Sequence, residues 1–190
     1  MQSGKANLVR NSLCAIAVLF LASPAFSQLN SNTASVTLTA TLGETLTVAA
    51  TPSAVNFTLV SGGVATASAP VAITTSWVLS SGRANVVLDA FFSSPTAALT
   101  FAGPPVSNIP SSSVLGQVTT GTPTTYTPFT GTAALGPAGG GLTLFTQALS
   151  ASNRAASRTD NLNLEIDLTA LPLLPAATYT GTLTLQAQAL

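Results

Sequence analysis

Asn161-Leu162-Asn163-Leu164-Glu165-Ile166-Asp167-Leu168-Thr169 alternates polar and apolar residues without a fault. Successive side chains of a strand point to opposite faces, so Leu162, Leu164, Ile166 and Leu168 share one face and Asn163, Glu165 and Asp167 the other. Such a segment is a strand with one side in a core and the other in water. The same period recurs in both directions. Between Ser35 and Ala49, Val36, Leu38, Ala40, Leu42, Leu46 and Val48 fall on one face, opposite Thr37, Thr39, Thr41, Thr45 and Thr47. Glu44 interrupts that apolar face directly after Gly43, which predicts a bulge or a break between two strands. Further strands are expected at Ala54–Val60 (Val55, Phe57 and Leu59 inward), Val71–Leu79, Ala84–Phe92, Ala97–Phe101, Leu142–Leu149 and Thr178–Leu190.

Composition agrees with the period. The 190 residues include 29 threonines, and threonine and valine are β-branched strand formers. Apart from an N-terminal apolar run, no stretch carries helical spacing. Eight or nine short strands joined by Gly/Pro turns indicate an all-β, immunoglobulin-like antiparallel sandwich spanning 43–190. Trp77 is read as a core aromatic, with or without the plugging role of the immunoglobulin tryptophan. Residues 102–141, rich in Pro and Gly, are expected to form a loop-rich insertion with one short strand at Val114–Val118. The polar stretch Ser150–Asp160 is expected to be a solvated loop or a single helical turn.

The N-terminus reads as an export signal over residues 1–27. Lys5 and Arg10 precede the apolar run Leu13–Leu21, and Ala25 and Ser27 are small residues at the positions a signal peptidase reads. The run is short for a bilayer span, the alternative being an uncleaved anchor. Cleavage after Ser27 would leave 163 residues with no cysteine, no lysine, three arginines and five carboxylates, a net charge of −2. The expected localisation is secreted or cell-surface, with no membrane span after cleavage.

Only 5% of residues are charged, and histidine is absent. A basic nucleic-acid footprint is therefore missing, as are the imidazole and thiolate clusters of zinc, haem or iron–sulfur sites. Without histidine or a lysine beyond residue 5, serine or threonine has no ordinary base beside it. Glu165 and Asp167 point the same way from one strand, but they form the polar face of an amphipathic segment. Asp160, Glu165 and Asp167 lack the spacing of a calcium loop. No cofactor and no enzymatic activity are expected.

Pro175-Ala176-Ala177-Thr178-Tyr179-Thr180-Gly181-Thr182-Leu183-Thr184-Leu185 resembles the closing strand of bacterial fimbrial subunits and spore-coat-protein-U-like secreted domains. Ser35–Leu59 is similar to the opening of the same broad class. The two stretches cover about forty residues, and the disulfide common in such pilins is absent. The resemblance implies a structural subunit of a surface fibre, pilus or extracellular coat, polymerising by donor-strand exchange and served by an assembly chaperone. Residues 28–42 would then be a donor extension with Val36, Leu38, Ala40 and Leu42 as its anchors, or else the first strand of their own domain. The alternative function is a binding module for a glycan or cell-surface partner, with Phe91, Tyr126 and Phe129 as exposed aromatics.

Overall fold

The computed structural model describes residues 29–132 and 135–190. The expected signal sequence, with Cys14, Lys5 and Arg10, lies outside the described residues. The chain divides into two units, one ending at Ala40 and one running from Thr41 to Leu190. Of the first, residues 29–40 are irregular and exposed.

The second unit is an antiparallel β-sandwich. Its strands are β1 (Thr45–Thr51), β2 (Val64–Thr66), β3 (Val71–Val78), β4 (Asn85–Phe91), β5 (Leu99–Phe101), β6 (Ser107–Ile109), β7 (Val114–Val118), β8 (Thr127–Pro128), β9 (Gly141–Ala148), β10 (Ala155–Asp167) and β11 (Thr184–Ala189). One sheet has the order β1-β3-β10-β7-β8, with β2 beside the far half of β10; a second has the order β11-β4-β9, and β5 and β6 pair as a two-stranded ribbon. The order β1-β3-β10-β7 is that of strands A-B-E-D in an immunoglobulin sandwich, and β11-β4 is its F-C pair. Among the described residues no strand occupies the edge of β11 away from β4, where an immunoglobulin sandwich carries strand G. Nor does one flank β1 on the side away from β3.

Alternation decides what each strand buries. Val71, Ile73, Trp77, Val86, Leu88, Leu144, Leu162, Leu164 and Ile166 meet between the sheets. Trp77 is buried among them, its indole N–H donating to the Asn153 carbonyl at 2.8 Å. On the outer face of the larger sheet, hydroxyls pair across strands, Thr74 with Thr159 at 2.9 Å and Ser76 with Ser157 at 2.8 Å. Glu165 and Asp167 lie on that outer face, half-buried, as their parity requires.

Several expectations need correcting. Ser150–Asp160 is not a solvated loop: from Ala155 on it is the first half of β10, paired with β3 through Ala155↔Val78 to Leu162↔Val71. The pattern was hidden because two inward positions carry charge. Asp160 is 1% exposed, and Arg158 bonds it through Nε and Nη2, both at 2.6 Å, while stacking 4.2 Å from the Phe145 ring centroid. Thr120 donates to Asp160 Oδ1 at 2.7 Å. Neutralised within the pair, these charges occupy positions that hydropathy reserves for leucine. Within the loop-rich stretch 102–141, by contrast, β7 lies at Val114–Val118 as expected, joined by the short β6 and β8 and a 3-10 turn at Ser111–Ser113.

Candidate functional site

Three segments with strand periodicity are not strands. Residues 35–42, 54–60 and 178–183 alternate as cleanly as β10, yet β1 begins only at Thr45 and β11 only at Thr184. The second has one isolated bridge, Phe57 to Ala67, and the third has one, Thr100 to Thr180. The first has none recorded. Strand sequence without a strand partner is the unusual feature of this molecule.

Residues 54–60 and 178–183 face each other across a groove of about 810 Å³. Val55, Phe57 and Leu59 form one rim, and Leu174, Tyr179 and Leu183 the other. The floor is the sandwich core itself, with Val71, Phe92, Val114, Leu164, Ile166 and Leu168 at the bottom. Each rim is held from outside. Asn56 and Ser68 exchange hydrogen bonds, with Ser68 N–H reaching the Asn56 carbonyl at 2.8 Å. Thr100 and Thr180 exchange main-chain bonds of 2.8 and 3.1 Å. Gly181 lies so close to the Ala98 carbonyl that a Cβ there would sit 2.0 Å from its oxygen, so no side chain fits. Tyr179 folds over its own segment, donating to the Pro175 carbonyl at 3.0 Å.

No Asp, Glu, Lys or Arg lines this groove, so it offers apolar contacts and main-chain groups rather than acid–base chemistry. The carboxylates considered from the sequence do not converge: Asp160 is buried with Arg158, whereas Glu165 and Asp167 lie on the outer face. Asp167 accepts from the Thr169 hydroxyl and N–H at 2.6 and 2.8 Å, which hold its pKa below the usual carboxylate value. Among the described residues no three His, Cys, Asp or Glu side chains come together. Nor, among them, is any helix long and apolar enough to cross a membrane.

The sequence-predicted anchors are displayed rather than packed. Val36, Leu38 and Leu42 are 82%, 89% and 84% exposed, and Ala40 is exposed between them. The aromatic set is corrected: Phe129 is fully buried, edge-on to Phe92 with centroids 5.2 Å apart, and Phe91 is half-buried, leaving only Tyr126 exposed. Sequence reading implied a donor segment but did not place a groove, because it took residues 54–60 and 178–183 for ordinary paired strands.

A second feature, a polar clasp, ties the root of β1 to the end of β11. Glu44, at the root of β1, accepts from Arg83 Nε and Nη2 at 3.4 and 3.1 Å and from the Ser80 N–H at 2.7 Å. The same guanidinium donates to the Ala189 carbonyl at the end of β11, 3.3 Å away. Arg154 donates to the Ser80 and Arg83 carbonyls alongside. Hydrogen bonds from Arg83 and Ser80 lower the Glu44 pKa to about 2.

Comparison of the chain with protein-family models, with curated proteins and with solved structures finds no match.

Proposed function

We propose that this protein is a secreted structural subunit of a surface fibre or extracellular coat. Its groove receives an extended strand, and the occupant is the segment 29–42 of a second copy. One observation carries the reading: two strand-patterned rims flank an apolar groove that opens onto the core, and among the described residues no strand lies between them. An edge without a partner accepts another chain by main-chain pairing, with alternate side chains filling the pockets.

The segment 29–42 has the matching character. Val36, Leu38, Ala40 and Leu42 repeat every second residue and are exposed. At ~3.3 Å per residue the run Val36–Leu42 extends about 20 Å. Folding back on its own β1 through the tightest turn does not suit it. A two-residue turn at Gly43-Glu44 would set Leu42 opposite Thr45 and Ala40 opposite Thr47, laying the apolar side chains on the threonine face. Donation to another copy carries no such conflict. Burying Val36, Leu38 and Leu42 would contribute roughly 1.5–3 kcal/mol each before the ordering of the segment is counted.

The test is Leu38→Asp, which would bury an unpaired charge in the occupied groove. The variant is expected to be folded and monomeric while the wild-type protein forms polymers by size-exclusion chromatography and electron microscopy. Synthetic 29–42 peptide should bind its vacant groove. A wild-type protein that stays monomeric at high concentration and ignores the peptide would end the reading. Mass spectrometry of the exported protein should find Gln28 at its N-terminus.

A further inference from the structure

We infer that the outer face of the β11-β4-β9 sheet binds a hard cation, calcium, at Asp89, with the Gln188 amide oxygen as a second ligand. The inference does not depend on the groove, which Asp89 does not line. Val86, Leu88 and Ala90 of β4 lie in the core, so Val87, Asp89 and Phe91 face outward. Their neighbours Thr143 and Gln186 are exposed, yet Asp89 is 1% exposed. Its Oδ1 accepts from the Thr143 hydroxyl at 2.7 Å. Its Oδ2 is buried with no hydrogen-bond partner among the described residues. An irregularity brings Thr143 there. The β4–β9 ladder shifts register between Leu88 and Asp89, pairing Leu88 with Phe145 and Asp89 with Thr143. The extra residue, Leu144, is buried with Phe145, and Thr143 is left level with the carboxylate.

Asp89 has no counter-charge, and the described chain has none to spare. Its basic side chains are Arg83, Arg154 and Arg158. Arg83 pairs with Glu44 and Arg158 with Asp160, while Arg154 donates to the Ser80 and Arg83 carbonyls. A buried carboxylate with one hydrogen bond and no ion pair is costly. Compensation therefore comes from solution, and a second orphan shows in what form. Gln188 Oε1 is also buried without a partner among the described residues. On β11, Gln186 pairs with Asp89 and Gln188 with Val87, which sets Gln188 diagonally beside Asp89 on the same face. Diagonal neighbours of this kind are about 7–8 Å apart, within reach of a long side chain. Two unsatisfied acceptors on adjacent strands are what one cation can join. Carboxylate, amide and hydroxyl oxygens, without imidazole or thiolate, suit calcium rather than a softer metal. The Thr143 hydroxyl and the Gln186 amide supply further oxygens beside Asp89, and water completes the shell. A single carboxylate makes the site weak, with a dissociation constant on the order of 1 mM. The bound ion would fasten β11 to β4 through side chains as well as through the ladder.

The experiment uses wild-type protein stripped by a chelator. Returned to about 10 mM calcium, it should melt about 3–6 °C higher, and sodium chloride at matched ionic strength should give no such rise. Asp89→Asn keeps the shape of the side chain and removes its charge, so the calcium shift should vanish. Gln188→Met keeps the length and loses the oxygen, and should weaken calcium binding roughly five-fold. Glu165→Gln removes a carboxylate from the outer face of the other sheet and should leave the shift unchanged. In NMR spectra of the wild-type protein, calcium should move the amide signals of Asp89, Thr143 and Gln188. If Asp89→Asn does not fold, those signals and the Gln188→Met titration decide. No rise with calcium, an equal rise with sodium, a rise that survives Asp89→Asn, or undiminished binding in Gln188→Met would overturn the site.

Discussion

β10 and the groove rims share a sequence pattern and differ in what lies beside them. Leu162, Leu164 and Ile166 alternate along β10 as Val55, Phe57 and Leu59 alternate along one rim. β10 is flanked by β3 and β2 on one edge and, over Leu162–Ile166, by β7 on the other, so the main chain of its leucine-bearing half is taken up by ladders on both edges. Each rim has a single bridge. Period-two patterning thus specifies which side chains face a core, but only a neighbour turns an extended segment into a strand.

The comparison can be broken most sharply in the core. Leu162→Ala, at a fully buried position paired on both edges, should cost about 2–5 kcal/mol in chemical denaturation. Phe57→Ala and Leu183→Ala, at half-buried rim positions, should cost the free protein on the order of 1 kcal/mol. If the rims await a strand, their cost should rise when denaturation is repeated with saturating 29–42 peptide, while that of Leu162→Ala stays constant. Equal costs at the core and rim sites without peptide would mean that the rims are already part of a finished sheet. Glu165→Gln, on the outer face of β10, should shift stability by less than about 0.5 kcal/mol.

The smallest effect is expected at the clasp. Glu44 has its pKa lowered to about 2, so the clasp contributes above the ordinary carboxylate value and is lost as pH falls through about 2. A carboxyl titration followed by NMR should place the Glu44 midpoint near 2, and Arg83→Gln should return it toward the ordinary value. A wild-type midpoint above 4 would mean that the clasp is open in solution.

Much of the architecture was legible because the hydrophobic pattern is nearly its only message. β3, β4, β7 and β9 fall within a residue or so of where alternation puts them. Two kinds of position escaped. Arg158 and Asp160 point inward, and a reading that equates charge with solvent sends them to a loop. Residues 54–60 and 178–183 have the pattern but not the partner, and no local signal distinguishes a strand that is paired from one left open. The groove was therefore invisible for the same reason the sandwich was plain.

The inward ion pair has a consequence for how this sheet finds its arrangement. Sliding β10 by two positions along β3 keeps every leucine facing the core, so the hydrophobic pattern does not penalise the error. The hydroxyl rows would keep one of their two pairs, Thr159 meeting Ser76 or Ser157 meeting Thr74, so they penalise the slip only in part. Arg158 and Asp160 now lie level with Thr75 and Ile73. Displaced by two, the pair would leave the Phe145 ring and the Thr120 hydroxyl behind and carry its charges to apolar surroundings. In a chain so poor in charge, one pair placed where it least belongs makes neighbouring registers unequal, and the longest strand acquires a single address.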